Sequence, residues 1–600
     1  MRSAVQFEAS RHVSRLIDTA PVRLARLSTI GRTSALVVAA AWHWGAPVLR
    51  DYGSKTSATV AAVVLRTIEL VEPAVDDIAI ALKPLRPADA DRALAMYAGT
   101  FTLAGKTVTT DGSSIFAIAA PSAAFARELH GFVWLSHLAK ANTPLSRLHA
   151  QALVQDWMDL DDDKRTPALS LEASVTADRL SALLAYADWL RDGATEALRQ
   201  QLLVQVTKDV RRLRRCARER GVAQIGIDAA LVAACVAVPV YRRRLPRAMQ
   251  RLDGELKRQV LADGGHVSRC PNAVAEMLEI LMPLRAAMAE AGLPASTVMM
   301  NAIDRMLPML RFFIDPTGRV AHFNGAAQLE AALVDALLAA DDTGGHAHGN
   351  ASHSGYQRLE AAGTVAILDC GAPPPPEFAR YAHAGTLSFE LSTAANRVVI
   401  NCGTTDAARP KWRAVSRQTA AHSTVVVDGR SSARIVDSGL VAKLSGPTLI
   451  GGPREVGVDR REHGGVIAVV ASHDGYGRSH NLIHERTLRL TASGDRLDGR
   501  DLLMPADDLA ERTVDYVVRF HLDPAIQPVM LANGVVMLIG AKGEAWEFHA
   551  EDIVPRLEDS VYLADPTGAV TTQQIVLAGG VPDMVEQRWT FVRTRSAAAE

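Results

Sequence analysis

Apolar residues change their spacing near residue 341, and the change divides the chain in two. From Ser122 to about Ala340 they recur three and four positions apart, the period of an amphipathic helix. Val274, Met277, Leu278, Leu281 and Met288 form one such stripe, preceded by Pro271 and Asn272, which suit a helix start. Asp192-Gly193, Gly221, Asp263-Gly264-Gly265 and the stretch from Gly292 to Pro294 punctuate the runs. They leave room for roughly eight to ten helices of about 12 to 20 residues. Such short connections return each helix beside the last, as antiparallel hairpins. From Tyr356 the pattern becomes short β-rich runs between turns, such as Thr364 to Leu368, Leu387 to Leu391, Val398 to Asn401, Thr424 to Val427, Val466 to Val470 and Thr513 to Phe520. About twelve strands in roughly 245 residues, without helical crossovers, predict a large antiparallel sandwich.

The remaining segments carry weaker patterns. Met1 to about Pro87 is rich in Arg and Ala with little periodicity, and is expected to pack as irregular helices around the next region. Thr100 to Val108, with a turn expected at Asp111-Gly112, reads as a small hairpin leading into the helices. DDTGGHAHGNASHS, from Asp341 to Ser354, is polar and glycine-rich and reads as a linker. The expected organisation is an N-terminal extension over 1–91, a helical domain over 92–340, a linker over 341–355 and a β domain over 356–600.

Composition narrows the function classes. The chain has 600 residues, 48% of them apolar and 22% charged, which suits an ordinary globular protein of two large domains. A net charge of -1 gives no global reason to expect nucleic acid or a membrane surface as partner, so an anionic ligand must be met by a local basic cluster. The five cysteines are widely spaced and lack a C-x-x-C pair, which favours buried free thiols over disulfides or a zinc-thiolate site. Arg2, Arg11, Arg15, Arg23, Arg26 and Arg32 precede an apolar stretch from Ser34 to Leu49, but His43 and Trp44 interrupt it and no clean signal peptide emerges. Elsewhere no uninterrupted apolar run approaches the roughly 18 residues of a transmembrane helix.

Several familiar motifs are missing: no G-x-x-x-x-G-K-[ST] phosphate loop, no G-x-S-x-G elbow and no H-E-x-x-H zinc helix. HNLIHE, from His480 to Glu485, spaces two histidines by four, but it runs into the alternating TLRLTA, where that spacing loses its helical meaning. His346, His348 and His353 lie in the linker, where ordering a flexible segment around a metal is entropically costly. The richest stretch is Ala379 to Arg430. It holds His383 and His422, each leading into a strand-like run, a third strand from Arg397 to Cys402, and a basic segment with Lys411, Trp412, Arg413 and Arg417. Side chains alternate across a pleat, so adjacent strands can gather such residues at one sheet edge.

These residues carry a resemblance. HAGTLSFEL, RVVINCG, TAAHSTVVVDG, SHDGY, HERTLRL, DRLDGRD and FHLDP, following a helical half with DGGHVSRCP, NAIDRMLPMLRFF and DPTGRVAHFNG, resemble the heparinase II/III family of polysaccharide lyases from about Arg92 through Val592. The resemblance implies an incomplete (α/α) toroid followed by a layered antiparallel β-sandwich. It implies an acidic, uronate-containing polysaccharide in the cleft between them, cleaved by β-elimination, and a periplasmic or cell-envelope setting, with the cytoplasm left open. Such a reaction requires a cation or donor to neutralise the uronate carboxylate, a base for the C5 proton and an acid for the O4 leaving group. No cofactor is required.

Carried over residue by residue, the fit is uneven. Where the family often shows His-x-His-x-Asp, this chain reads Tyr381-Ala382-His383-Ala384-Gly385. Only the second histidine is kept, and Asn401 stands where metal-bearing members have an acid. His383, Asn401 and His422 are the implied candidates for a structural zinc, although two imidazoles and an amide make a weak set. Tyr381 or Tyr356 is the expected acid/base, and His266 and Arg417 the groups that manage the carboxylate. Arg413 and Trp412 supply a cation and a stacking surface for an anionic sugar. The rival reading is a non-catalytic carbohydrate-binding or envelope polysaccharide-assembly protein on the same scaffold, motivated by the missing first His and the missing Asp.

Overall fold

The structure, a computed structural model, describes residues 74–160, 167–341, 344–404, 410–436, 438–439, 442, 448–507 and 513–596. Most of the N-terminal extension therefore lies outside the described residues, and 74–87 form no helix. The helical half runs through α1 (Ala90–Tyr97), α2 (Ala123–His130), α3 (Leu135–Ala141), α4 (Pro144–Asp159), α5 (Ala173–Arg191), α6 (Glu196–Arg215), α7 (Val222–Ala237), α8 (Leu245–Gln259), α9 (Pro271–Glu290), α10 (Thr297–Phe313) and α11 (Ala331–Ala339). Caps written in the sequence set several starts. Thr195 accepts from the Leu198 amide, Ser296 from the Met299 amide, and Pro271 occupies the first turn of α9, where no amide partner is needed. Arg212, Arg214 and Arg215 sit in the last turn of α6, where the helix dipole favours cations.

The helix α7 explains why the half is ring-like. Its sequence VAQIGIDAALVAACVA is apolar nearly all round, so it is buried on every side, against α5, α8 and α9. Small residues there let its neighbours approach closely. Among the described residues no helix is long and apolar enough to cross a membrane.

From Asn350 the chain builds two large sheets. One has nine strands: β1 (Asn350–Ala351), β2 (Tyr356–Ala361), β3 (Thr364–Asp369), β4 (Phe389–Thr393), β5 (Arg397–Ile400), β6 (Val425–Val427), β7 (Val514–Leu522), β8 (Arg556–Tyr562) and β9 (Val570–Val581). The second has eight strands, between Val456–His463 and Glu586–Arg595, and its strand pairs are antiparallel. The expectation of about twelve strands is low because pieces as short as Asn350–Ala351, Val425–Val427 and Gln527–Met530 are too brief to show a period. The hairpin ahead of the helices pairs Thr100–Leu103 with Lys106–Thr109, so it turns at Ala104-Gly105 rather than at Asp111-Gly112. Both turn residues have positive φ, 45° and 66°, the conformation a two-residue hairpin requires.

Burial patterns place the layers. In Leu482–Leu490, buried and partly exposed positions alternate, as in a sheet with one packed face. Strands β3, β4 and β5 are buried at every position, because the nine-stranded sheet packs on both faces. One face meets the helices: Ala351, Tyr356, Val365 and Ile367 join the helical core. The other meets the second sheet around Phe389, Phe520, Phe548, Trp589 and Phe591. Trp589 stacks on Phe389 at 5.4 Å and 11°, and an aromatic pair of this kind is worth about 0.5 to 1.5 kcal/mol beyond its buried area. Gly499 lies opposite Trp589 in register, and a Cβ there would sit 2.2 Å from the indole. His480 ends a short turn and His484 lies on a strand bonded to Asp501, so the two do not share a helix face. All five cysteines are free; Cys235, Cys370 and Cys402 are buried, Cys216 and Cys270 half-buried.

Candidate functional site

The seam between the helices and the nine-stranded sheet gathers most of the candidate residues, and the turn between α8 and α9 shapes it. Gly264 has φ 88°, and a Cβ there would lie 2.0 Å from the Arg305 carbonyl; a Cβ on Gly265 would lie 1.9 Å from Ser354 Oγ. Only glycine permits that approach. It brings Asp263 onto Ser354, accepting from its amide at 2.6 Å and its hydroxyl at 2.7 Å.

His266 follows this turn, and its placement corrects the expectation that it faces substrate. It is buried, its Nδ1 lies 2.6 Å from Ser268 Oγ and its Nε2 2.8 Å from Gln259 Oε1. Burial lowers its pKa to about 3, so at neutral pH it carries no charge to offer a carboxylate. Tyr356 is likewise corrected from a cleft residue to an interface residue. It is fully buried; its hydroxyl donates to the Arg269 carbonyl at 2.6 Å and accepts from Asn324 Nδ2 at 2.8 Å. Its ring packs against Phe313 and Phe323, and burial pushes its pKa well above the ordinary tyrosine value.

Arg269, which sequence reasoning passed over, holds the seam. Its guanidinium donates to the carbonyls of Ser354 (2.7 Å), Gly355, Gly371 and Ala372 (3.1 Å each), pairs with Asp369 and lies over the Tyr356 ring at 4.8 Å. A cation this fully coordinated is structural. A second tie joins Asp315, after α10, to Arg397 on β5 at 3.0 Å, and Arg397 also pairs with Glu390 at 2.6 Å.

Arg417 is also corrected. It is 2% exposed, and its guanidinium donates to the carbonyls of Ala382 (2.9 Å) and Ala379 (3.1 Å), shaping the loop that carries Tyr381. Tyr381 itself is 49% exposed at the seam, its backbone abutting Gly325 from the helical half. Arg413, on the short helix α12 (Pro410–Ser416), stacks on the Tyr381 ring at 4.2 Å, and Arg380 lies 5.5 Å from the same ring. Trp412 is 38% exposed on that helix. Burial first, and then Arg380, lower the Arg413 pKa, partly offset by Tyr381. Arg127, from α2, senses Tyr381 electrostatically while holding Glu172 at 2.7 Å. The structure thus brings Tyr381, Arg413 and Arg380 together as an exposed aromatic-cation surface, and leaves His266, Tyr356 and Arg417 inside the protein.

The implied metal set was tested on its donor atoms. His422 Nδ1 donates to the Gln418 carbonyl at 2.8 Å, which directs the Nε2 lone pair toward His383 Nδ1 at 3.1 Å. That separation is a hydrogen bond between two neutral rings. Burial, followed by His422, Arg417 and Arg413, lowers the His383 pKa well below its usual value; burial lowers His422 to about 4. Asn401 Oδ1 already accepts from the Ser423 amide at 3.0 Å, so its only lone-pair donor is in use. At the missing acid, Gly385, a Cβ would lie 2.7 Å from His422 Cδ2. The described residues contain no cluster of three His, Cys, Asp or Glu able to hold a metal ion. His383, Asn401 and His422 therefore do not fit a zinc ion.

Comparison with known proteins adds three findings. The family model "Heparinase II/III-like, C-terminal" matches residues 343–590. A curated relative, FtsZ-localized protein C of Caulobacter vibrioides, is 31% identical over 525 residues, covering 85% of this chain and 89% of its own. The fold is similar to Heparinase III (TM-score 0.65, 15% identity, 92% of this chain and 94% of that one) and to heparan sulfate lyase HepC from Pedobacter heparinus (TM-score 0.53, 15% identity, 86% and 84%).

Proposed function

The chain belongs to the heparinase II/III-like family, and from that premise we propose that it is a non-catalytic carbohydrate-binding member, recognising an acidic, uronate-containing polysaccharide at the cleft between its two halves. One observation carries this reading. Of the groups expected to neutralise a carboxylate and move protons, His266, Tyr356 and Arg417 spend their hydrogen bonds inside the protein, whereas Tyr381, Arg413 and Arg380 form an accessible surface. The ring of Tyr381 offers an apolar face for a sugar, and the two guanidinium groups offer charge-assisted donors to a carboxylate. Elimination needs an acid and a base in addition to a cation. On this reading the fold retains recognition without that proton-transfer pair.

The test is calorimetry with a panel of uronate polymers, alongside ultraviolet absorbance for an unsaturated product. Binding without product is expected. Tyr381→Ala and Arg413→Ala should each weaken binding about tenfold, or about 1.4 kcal/mol, with the melting temperature nearly unchanged. Product formation that Tyr381→Phe abolishes would restore the lyase reading.

A second reading is favoured by the relative that is 31% identical, whose name records localisation with FtsZ. On that reading the chain works at the site where FtsZ assembles, with the seam surface as its contact. A fluorescent fusion that never coincides with FtsZ in the native cell removes it.

A further inference from the structure

A cavity of about 550 Å³ opens inside the helical half, between α5, α7, α9 and the segments 82–86 and 128–136. It is distinct from the seam surface, and its size is that of a small-molecule site. Its walls are mostly aliphatic: alanines of α5 and α7, with Ile280 and Pro283 of α9. Into these apolar walls are set four carboxylates, Glu128, Asp178, Glu276 and Glu279, and one guanidinium, Arg86. Arg86 is committed to Glu279 by two hydrogen bonds, at 2.7 and 2.9 Å, and Glu128 accepts from the Ala104 amide. Arg179, next to Asp178 in sequence, is committed to Asp209.

Asp178 and Glu276 have no such partner: water reaches both, yet protein surrounds the space they face. Desolvation, followed by the charge on Glu279, raises Asp178 to about 6 and Glu276 to about 7. Uncompensated carboxylates in an apolar chamber cost stability, so they mark a place where a cation returns that energy on binding.

We propose that this cavity binds an aliphatic polyamine, its ammonium groups meeting Asp178 and Glu276 and its methylene chain lying on the alanine walls of α5 and α7. The pairing follows from the lining. Separated carboxylates on apolar walls suit a chain of CH₂ groups carrying separated charges, and suit poorly either a polyanion or a compact, strongly hydrated metal ion. Gly226 of α7 keeps the space open, since a Cβ there would meet only Ile280 Cδ1, at 3.7 Å.

The experiment is calorimetry on the full chain at pH 8 and physiological salt, with spermidine as probe, 1,8-octanediol as an uncharged chain and glucosamine as a compact amine. Spermidine is expected to bind and the two others not. The double variant Asp178→Asn/Glu276→Gln should lose at least tenfold in affinity while melting no lower than the parent, because it removes uncompensated charge. Gly226→Leu fills the space without changing charge and should also abolish binding. At pH 5.5 both carboxylates are protonated, with Arg86, Glu128, Glu279 and Tyr186 the other titratable groups facing them, and affinity should fall at least tenfold. Equal binding of octanediol or glucosamine, unchanged affinity in the double variant, or no spermidine binding up to millimolar concentration would overturn the proposal.

Discussion

Replacing Arg269 by methionine keeps most of the side chain's length and apolar packing while removing its charge and donors. What is left behind can be read from the seam: the Asp369 carboxylate loses its cation, and the carbonyls of Ser354, Gly355, Gly371 and Ala372 lose a donor. Removing one partner of a buried ion pair costs about 3 to 5 kcal/mol, largely because the other charge stays buried. Orphaned carbonyls cost about 1 to 3 kcal/mol each where water cannot reach them. Seam edges admit some water, so the expected loss for Arg269→Met is about 3 to 5 kcal/mol. It is measured by equilibrium urea unfolding followed through tryptophan fluorescence. Asp369→Asn supplies the control, because in the double variant no unpaired charge remains. The two changes together should cost about 2 kcal/mol less than the sum of the singles. A single-variant loss below about 1 kcal/mol, or strict additivity, would refute the assignment of Arg269 as the clamp of the seam.

Acid should destabilise the protein through its buried neutral histidines. His266, His422 and His521 are held by burial at about 3, 4 and 3, below their unfolded value, so their stability is complete above about pH 6.5 and is lost as pH falls toward those values. At pH 5 each accounts for a loss of about 2 kcal/mol; Asp178 and Glu276 act in the opposite sense, so melting temperature against pH is best read in the Asp178→Asn/Glu276→Gln background. Restoring the family's acid with Gly385→Asp should destabilise the protein by about 1 to 3 kcal/mol, as an overpacked core site does, without creating a zinc site. Melting and metal analysis after dialysis against zinc check this, and stoichiometric zinc in the variant would contradict it. Chelators should leave the melting temperature of the unaltered protein unchanged, because two ring nitrogens and a shared proton close the His383–His422 corner.

Much of the architecture was legible because it rests on period. The stripe through Val274 and Leu281 is buried in α9, and Thr364 to Leu368 falls within β3. The hairpin turn was misplaced because Asp-Gly is the stronger local signal, while the chain uses Ala104-Gly105, whose pairing with the flanking Thr and Lys residues no local rule reveals. The site was less legible, and for one physical reason: residue type reports what a side chain can do, not whether its hydrogen bonds are already spent. His266 beside a Gly-Gly turn looks poised for substrate, yet the glycines exist to let the backbone pass Arg305 and Ser354. Arg417 and Arg413 read alike in sequence, but one is sewn to two carbonyls and the other lies on an exposed ring. Arg269 gave no signal at all, since an arginine in a loop ordinarily reads as solvated. The Gly385 substitution, in contrast, was visible at once, and the structure supplies its reason in the His422 ring that occupies the space.

The seam has a mechanical consequence. Domain closure around a ligand needs a few hinge residues free to change their backbone angles. Here Asp263 grips Ser354, Arg269 grips the ends of β2 and β3, Arg358 donates to the carbonyls of Phe312 and Ile314, and Arg397 reaches Asp315. Four anchors spread over that length leave no axis about which one half can swing. The two halves behave as a single stiff body, and a ligand must enter a cleft already set to its final width, selected by fit rather than captured by movement.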